Sequence, residues 1–155
     1  MRLKKIISGG QTGADQGALD AAIALNIPHG GWIPKGRKTE AGPLPPQYQL
    51  QEMPTASYPA RTEKNVLDSD GTVIITYGSL AGGSALTRKL ARQHGRSCLH
   101  IDLYANSIPE AAKAIRKWIG ENDISVLNVA GSRESKRPGI QDITHQIIVD
   151  VLEKL

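Results

Sequence analysis

Three short segments of this sequence carry the residue types that hold an anion on backbone amides. They are Ser8-Gly9-Gly10-Gln11-Thr12-Gly13-Ala14-Asp15-Gln16-Gly17, Gly78-Ser79-Leu80-Ala81-Gly82-Gly83-Ser84 and Ala130-Gly131-Ser132-Arg133. Each follows an apolar run, and helical sequence lies beyond it. Where a strand turns into a helix, the first helical N–H groups lack partners, and phosphate oxygens are natural acceptors for them. A Cβ at such a turn blocks the approach of the anion, so the chemistry needs glycine. With Gly139, these segments hold nine of the 16 glycines in the chain. Tight turning accounts for any one of the loops as well as binding does. The first two together favour a ligand.

Charged side chains near these turns extend the candidate site. On a helix, Arg61, Asn65 and Asp68 share a face, with Ser69 beside it. Arg61 can fork onto a phosphate or pair at the surface with Glu63 or Asp68; spacing leaves both open. Arg133, Lys136 and Arg137 surround the third turn. Asp15 is a helix cap or a catalytic carboxylate, and capping is the commoner role. The ligand contacts expected from the residues are Gly9, Gly10, Gln11, Thr12, Gly13, Asp15, Arg61, Tyr77, Gly78, Gly82, Gly83, Ser84, Gly131 and Arg133. No residue is assigned to catalysis.

Several better-known chemistries fail on spacing. The first loop reads G-x-x-G-x-x-x-G from Gly10, not the G-x-G-x-x-G of dinucleotide enzymes, and no acidic residue ends the second strand. NAD is therefore not expected. Gly31-Trp-Ile-Pro-Lys-Gly-Arg-Lys-Thr39 misses the P-loop by the inserted Arg37, and prolines follow where a helix is required. His29, His94, His100 and His145 show no metal-ligand spacing with Cys98, so no structural metal is expected. No Ser–His–Asp arrangement is indicated.

The elements that position these turns alternate. Residues 4–8 read as a first strand, followed by a helix capped at Thr12, with Asp15 in the capping-box position, running to about Leu25. Its inner positions are Ala14, Ala18, Leu19, Ala22 and Ile23. A short strand at 29–33 precedes an irregular, proline-rich stretch at 34–59, with an edge strand at 48–52. A helix at 61–69 leads to the buried strand 71–77. A helix at 84–94, a strand at 98–102 and a helix opened by the Ser107-Ile-Pro-Glu110 capping box follow. The strand 124–129 precedes a last helix with apolar residues from Ile140 to Leu155 at i, i+3, i+4 and i+7. This alternation predicts one α/β domain over 1–155, an open parallel sheet of about five strands with helices on both faces.

Composition agrees. Hydrophobic residues make up 39% of 155, aromatics only 4% with no Phe, so the core must be Ile, Leu, Val and Ala. No apolar run approaches the roughly 20 residues of a membrane span, and no signal-peptide core follows the basic N-terminus. A lone Cys98 forbids an intrachain disulfide and reads as a small core hydrophobe. A cytoplasmic location follows as the expectation. The net charge of +4 permits an anionic partner, but the cations are dispersed and lack the signatures of nucleic-acid binding. Trp118, on an apolar helix face, is a candidate interface residue.

The segment Gly9-Gly-Gln-Thr-Gly-Ala-Asp-Gln-Gly-Ala-Leu-Asp20 resembles the opening motif of the molybdenum-cofactor carrier family. Arg61-Thr-Glu-Lys-Asn-Val-Leu-Asp-Ser-Asp-Gly-Thr72 and Leu127-Asn-Val-Ala-Gly-Ser-Arg-Glu-Ser135, with Pro138-Gly139-Ile140, resemble later blocks of it. The resemblance implies a three-layer Rossmann-like fold related to lysine decarboxylase-like proteins and cytokinin-activating phosphoribohydrolases. It also implies a homo-oligomer, dimer or tetramer, and the molybdenum cofactor, a pterin bearing a phosphate, as carried ligand. The phosphoribohydrolases place a catalytic glutamate after a proline-glycine-glycine turn. Here the matching Ala81-Gly82-Gly83-Ser84-Ala85-Leu86-Thr87 has no carboxylate, which favours binding over turnover unless Asp15 or Asp68 substitutes. A phosphoribohydrolase-like enzyme and a nucleotide-sensing module remain the alternatives.

Overall fold

The computed structural model describes residues 3–155. Its centre is a parallel five-stranded sheet in the order β2-β1-β9-β7-β8. The strands are β1 (Lys5–Ser8), β2 (His29–Gly30), β7 (Gly71–Thr76), β8 (Ser97–Asp102) and β9 (Val126–Gly131). Strand β7 is buried at every position, as a continuous β-branched run between two covered faces should be. Helices α1 (Ala14–Ala24), α4 (Ile108–Glu121) and α5 (Ile140–Glu153) pack together on one face, and α2 (Tyr58–Leu67) and α3 (Gly82–Gln93) on the other. This is the expected three-layer, Rossmann-like α/β arrangement.

Strand alternation divides the core between the faces. Val73, Ile75, Leu127 and Val129 pack under α1, α4 and α5 with Ala18, Ala22, Ile115 and Ile147. Val66, Leu90 and Ala91 form a smaller cluster between α2 and α3, against which Cys98 lies half-buried. Helices α1 and α5 approach closely because α1 offers small residues: a Cβ on Gly17 would lie 2.3 Å from the Gln141 carbonyl oxygen. Ile23 of α1 is exposed instead of inward-facing. Trp118 is buried among the α4 core residues, so it is a core side chain and not an interface candidate.

Counting from β7 and joining the chain ends turns the strand order into 2-1-3-4-5, one of the two common doubly wound orders. Its switch point falls between β7 and β9. The chain leaves β7 toward α3 on one face and leaves β9 toward α5 on the other. A crevice must open between the diverging loops.

Residues 34–59 are more regular than their prolines suggest. Two short ladders form, β3 (Trp32–Ile33) with β6 (Gln51–Glu52) in parallel and β4 (Lys38–Thr39) with β5 (Gly42–Pro43) antiparallel. The Arg37 guanidinium donates to the carbonyls of Leu44, Pro45 and Tyr48 at 3.2, 2.9 and 2.7 Å. Leu44 and Tyr48 are buried against Leu19 and Ile33. The segment is a fitted cover over the end of α1.

The capping box at Ser107 is complete. Ser107 Oγ accepts from the Glu110 amide at 3.3 Å, and the Glu110 carboxylate accepts from the Ser107 amide at 2.9 Å. Ser107→Ala is therefore expected to lower stability by about 1 kcal/mol, read as a shifted urea midpoint with an unchanged slope. The Thr12 cap is absent. The cap of α1 is Gly13, with no side-chain cap bond, and the Thr12 hydroxyl is engaged elsewhere, as described below.

Candidate functional site

The cavity at the switch point holds about 340 Å³. Gly9, Gln11 and Asp15 form its floor beyond β1. Gly82, Gly83, Ser84 and Thr87 of α3 form one wall, and Asn128 to Arg133 form the other. Helix α2 closes the end with Tyr58, Arg61 and Asn65, and Lys136 lies at the rim. These positions are contiguous because every strand of a parallel sheet delivers its following loop to the same edge.

In the first turn, the amides are already occupied. The Gln11 amide donates to Asp15 Oδ2 at 3.1 Å, and the Gly10 amide to Ser8 Oγ at 3.3 Å. The Thr12 amide donates to Gln11 Oε1 at 3.1 Å and the Gly13 amide to Gln141 Oε1 at 3.4 Å. The turn is folded around a resident anion, the Asp15 carboxylate. Burial raises the Asp15 pKa to about 6, against the lowering effects of the Arg61 charge, the Gln11 amide and the Arg133 charge. Gln11 Nε2 is buried without an acceptor among the described residues, and its Oε1 also accepts from the Glu40 amide at 2.9 Å.

The second turn differs. Ser84 and Ala85 donate their amides to the Ala81 carbonyl, whereas the Gly82 and Gly83 amides have no protein acceptor among the described residues. Gly82 needs its glycine for a φ of +51°, but no atom lies within 4 Å of where a Gly83 Cβ would sit. Neither backbone strain nor internal crowding explains Gly83. Its bare backbone keeps a wall of the cavity open.

Cations gather opposite that wall. Arg61 is 8% exposed and donates through Nη1 to the Gly9 carbonyl in a short hydrogen bond. Burial lowers its pKa, and the Asp15 charge works against that. The Tyr58 ring collects three cations: Lys38 Nζ at 4.4 Å, Arg133 Cζ at 5.3 Å and Arg61 Cζ at 5.4 Å from its centroid. Cation–π attraction offsets part of their mutual repulsion. The cluster would gain from an anion.

Glu40, which the sequence offered no reason to select, ties the cover to the site. It accepts from the Thr12 hydroxyl in a short bond, and from Ser135 Oγ and the Ser135 amide at 2.6 and 3.2 Å. Partial burial would raise its pKa, but the Ser135 and Thr12 hydrogen bonds hold it lowered. The β4–β5 hairpin thereby clasps the first and third turns together.

Of the residues expected from sequence, the structure brings Gly9, Gln11, Asp15, Arg61, Gly82, Gly83, Ser84, Gly131 and Arg133 around one cavity. Gly10 instead faces Ile33, Leu44 and Leu50 under the cover, and Gly13 packs against the backbone of residues 132–134. Thr12 bonds Glu40. Tyr77 and Gly78 lie in a separate aromatic cluster with Tyr104. Asp68 accepts from Trp32 Nε1 at 2.7 Å, and Glu63 pairs with His94 at 2.9 Å, so neither is Arg61's partner. Tyr58 and Asn128 line the cavity without having been singled out for binding, and Lys136, placed by the sequence beside the third turn, lines it as well. Among the described residues, no group of three His, Cys, Asp or Glu is placed to hold a metal, and no helix is long and apolar enough to cross a membrane.

Comparison with known proteins gives concordant matches. Residues 6–152 match the circularly permutated YpsA SLOG family. The crystal structure of the "Putative molybdenum carrier protein" from Syntrophus aciditrophicus SB is 56% identical, with a TM-score of 0.95 over 97% of this chain and 96% of that one. No curated protein matches with significance. The permuted strand order and the first of these matches describe one topology.

Proposed function

The chain belongs to the circularly permutated YpsA SLOG family, and from that premise we propose that its switch-point cavity binds a small phosphorylated ligand as a carrier. The ligand class named first is the molybdenum cofactor, a phosphate-bearing pterin, following the 56% identical protein named "Putative molybdenum carrier protein". One observation carries the reading: the two unpartnered amides of Gly82 and Gly83 share the cavity with Arg61, Arg133 and Lys136. The phosphate would rest on those amides with the guanidinium groups opposite. The first turn would serve the site by holding Asp15 and aiming Arg61.

The deciding measurement is calorimetric titration of the purified protein with the molybdenum cofactor and with a panel of nucleoside monophosphates. Tight cofactor binding supports the carrier reading. Cofactor failure beside tight nucleotide binding rejects it.

Gly83→Ala tests where the phosphate sits. With no atom near the new methyl group, stability should be unchanged or rise by up to about 1 kcal/mol from helix propensity. Phosphate-ligand affinity should fall at least tenfold, about 1.4 kcal/mol. Unchanged affinity would move the anion away from this wall.

Asp15 favours a second reading. A buried carboxyl with a pKa near 6 beside the cavity suits proton transfer near neutrality, as a phosphoribohydrolase-like enzyme would require. Release of free base from nucleoside monophosphates, abolished in Asp15→Asn, would select this reading over the carrier.

A further inference from the structure

A second surface lies at the same sheet edge as the cavity, on the loops that follow β7, β8 and β9. Tyr77 follows β7, and Tyr104 follows β8; their rings meet edge to face at 5.2 Å and 64°. Arg137 Cζ lies 5.6 Å from one ring centroid and 5.7 Å from the other. Among the described residues, Arg137 makes no ion pair with a carboxylate, and its guanidinium donors have no protein acceptor. A guanidinium held over two rings and exposed to solvent is oriented, with its N–H groups facing outward for an incoming acceptor.

The cluster is fixed from below. Asp102 Oδ1 accepts from the Gly78 amide at 2.8 Å and from the Tyr104 amide at 2.9 Å. The Tyr104 ring packs over Gly78, where a Cβ would stand 3.5 Å from it. Yet Tyr104 is 67% exposed. Isolated exposed aromatics are common; one tethered through its amide and bracketed by an unpaired arginine is a docking surface in the making.

Its place relative to the cavity follows from the chain. The Arg137 amide donates to the Arg133 carbonyl at 3.1 Å, so one turn separates the stacked arginine from the arginine of the phosphate cluster. Tyr77 lies five residues before Gly82 on the other loop. A ligand with its phosphate in the cavity would reach the rings by extending along these two loops.

Resting on the proposed phosphate site, we propose that the Tyr77–Tyr104–Arg137 cluster is the subsite for the ligand's flat heteroaromatic ring, and that it selects rings presenting a carbonyl oxygen beside a ring-nitrogen acceptor. Guanine presents that pair as O6 and N7, and an oxidised pterin as O4 and N5. An arginine fork matches it in bidentate fashion, whereas adenine offers a donor at the equivalent edge. Stacking on tyrosine supplies ring affinity, and Arg137 supplies the choice between rings.

The test compares GMP, AMP, a pterin bearing a phosphomonoester and ribose 5-phosphate, titrated into wild type, Tyr104→Ala, Tyr104→Phe and Arg137→Gln. GMP and the pterin phosphate should bind at least tenfold tighter than AMP. Tyr104→Ala should weaken the ring-bearing ligands about tenfold and leave ribose 5-phosphate unchanged, with Tyr104→Phe close to wild type. Arg137→Gln should erase the GMP-over-AMP preference. Tighter pterin than GMP binding assigns the site to a pterin; the reverse assigns it to a nucleotide. Equal GMP and AMP affinities, or ring-ligand affinities indifferent to both substitutions, overturn the subsite.

If ribose 5-phosphate and inorganic phosphate both fail to bind, the cavity reading fails separately, and unphosphorylated guanosine and pterin become the probes. Their quenching of tyrosine fluorescence, lost in Tyr104→Ala, would uphold the ring subsite. No quenching would overturn it. Both substituted side chains are exposed or stacked at the surface, so an unchanged melting temperature confirms that each variant is folded.

Discussion

Arg61→Met is expected to cost about 3 kcal/mol of stability and to weaken phosphate-ligand binding at least a hundredfold. The side chain is 8% exposed and its guanidinium holds the Gly9 carbonyl. Methionine fills much of the volume but leaves that carbonyl without its buried donor. It also removes the charge that acts most strongly to lower the Asp15 pKa, leaving a desolvated carboxylate dependent on the Gln11 amide and Arg133. The loss should appear in urea unfolding at pH 7. Adding Asp15→Asn should recover part of the stability, because the uncompensated charge is gone, but none of the binding. A single-variant cost below about 1 kcal/mol would mean that Arg61 is a solvated surface cation, contrary to its burial.

How much of this could be read from the residues divides along the range of the interactions. Helix α5 and strand β7 were legible because burial of one helical stripe, or of a whole strand, writes a local period into the sequence. The Ser107 box spans only four residues, Ser107 to Glu110, and is legible for the same reason. The three glycine turns were found, and their convergence followed from parallel strands sharing an edge.

What sequence could not show was the occupancy of the amides. The first turn looked like a phosphate cradle, and its Gln11 and Gly13 amides are held by Asp15 and by Gln141 from the far end of the chain. The same limit hid Tyr58, whose three cations come from positions 38, 61 and 133. It also hid Glu40, which joins Thr12 to Ser135. Residues 34–59 lack a period because Arg37 organises them by three carbonyl bonds, and a single arginine leaves no pattern.

These long-range contacts also account for the contrast between the turns. In the first, the carboxylate that the chain itself provides neutralises part of the cationic cluster, so the turn is complete without a ligand. In the second, no acidic side chain follows Gly82 and Gly83 until β8, and the amides stay open. The proposed carrier reading draws on that division: one turn fixes the cations, and the other is left to receive the anion.

Asp15 makes the division measurable through pH. Its folded pKa of about 6 lies above the ordinary 3.8, so between those values the folded chain holds a proton that the unfolded chain has released. Stability must therefore fall as pH rises through this window, by about 3 kcal/mol from this group, and level off above about pH 6. Carboxylates held low by hydrogen bonds, such as Asp102 and Asp150, act with the opposite sign at lower pH. Asp15→Asn should flatten the fall between pH 4 and 6 and leave the wild type less stable than the variant at pH 7. Binding is coupled to the same proton. A phosphate entering the cavity adds negative charge beside Asp15, raises its pKa further and draws a proton onto it. Capture of the phosphate by the arginines favours its dianion and releases protons, the opposite sign. Calorimetry at pH 7 in buffers of different ionisation enthalpy should thus show net proton uptake shifting toward release in Asp15→Asn. A proton count identical in both proteins would place the anion too far from Asp15 to feel its charge, and so outside the cavity assigned to it.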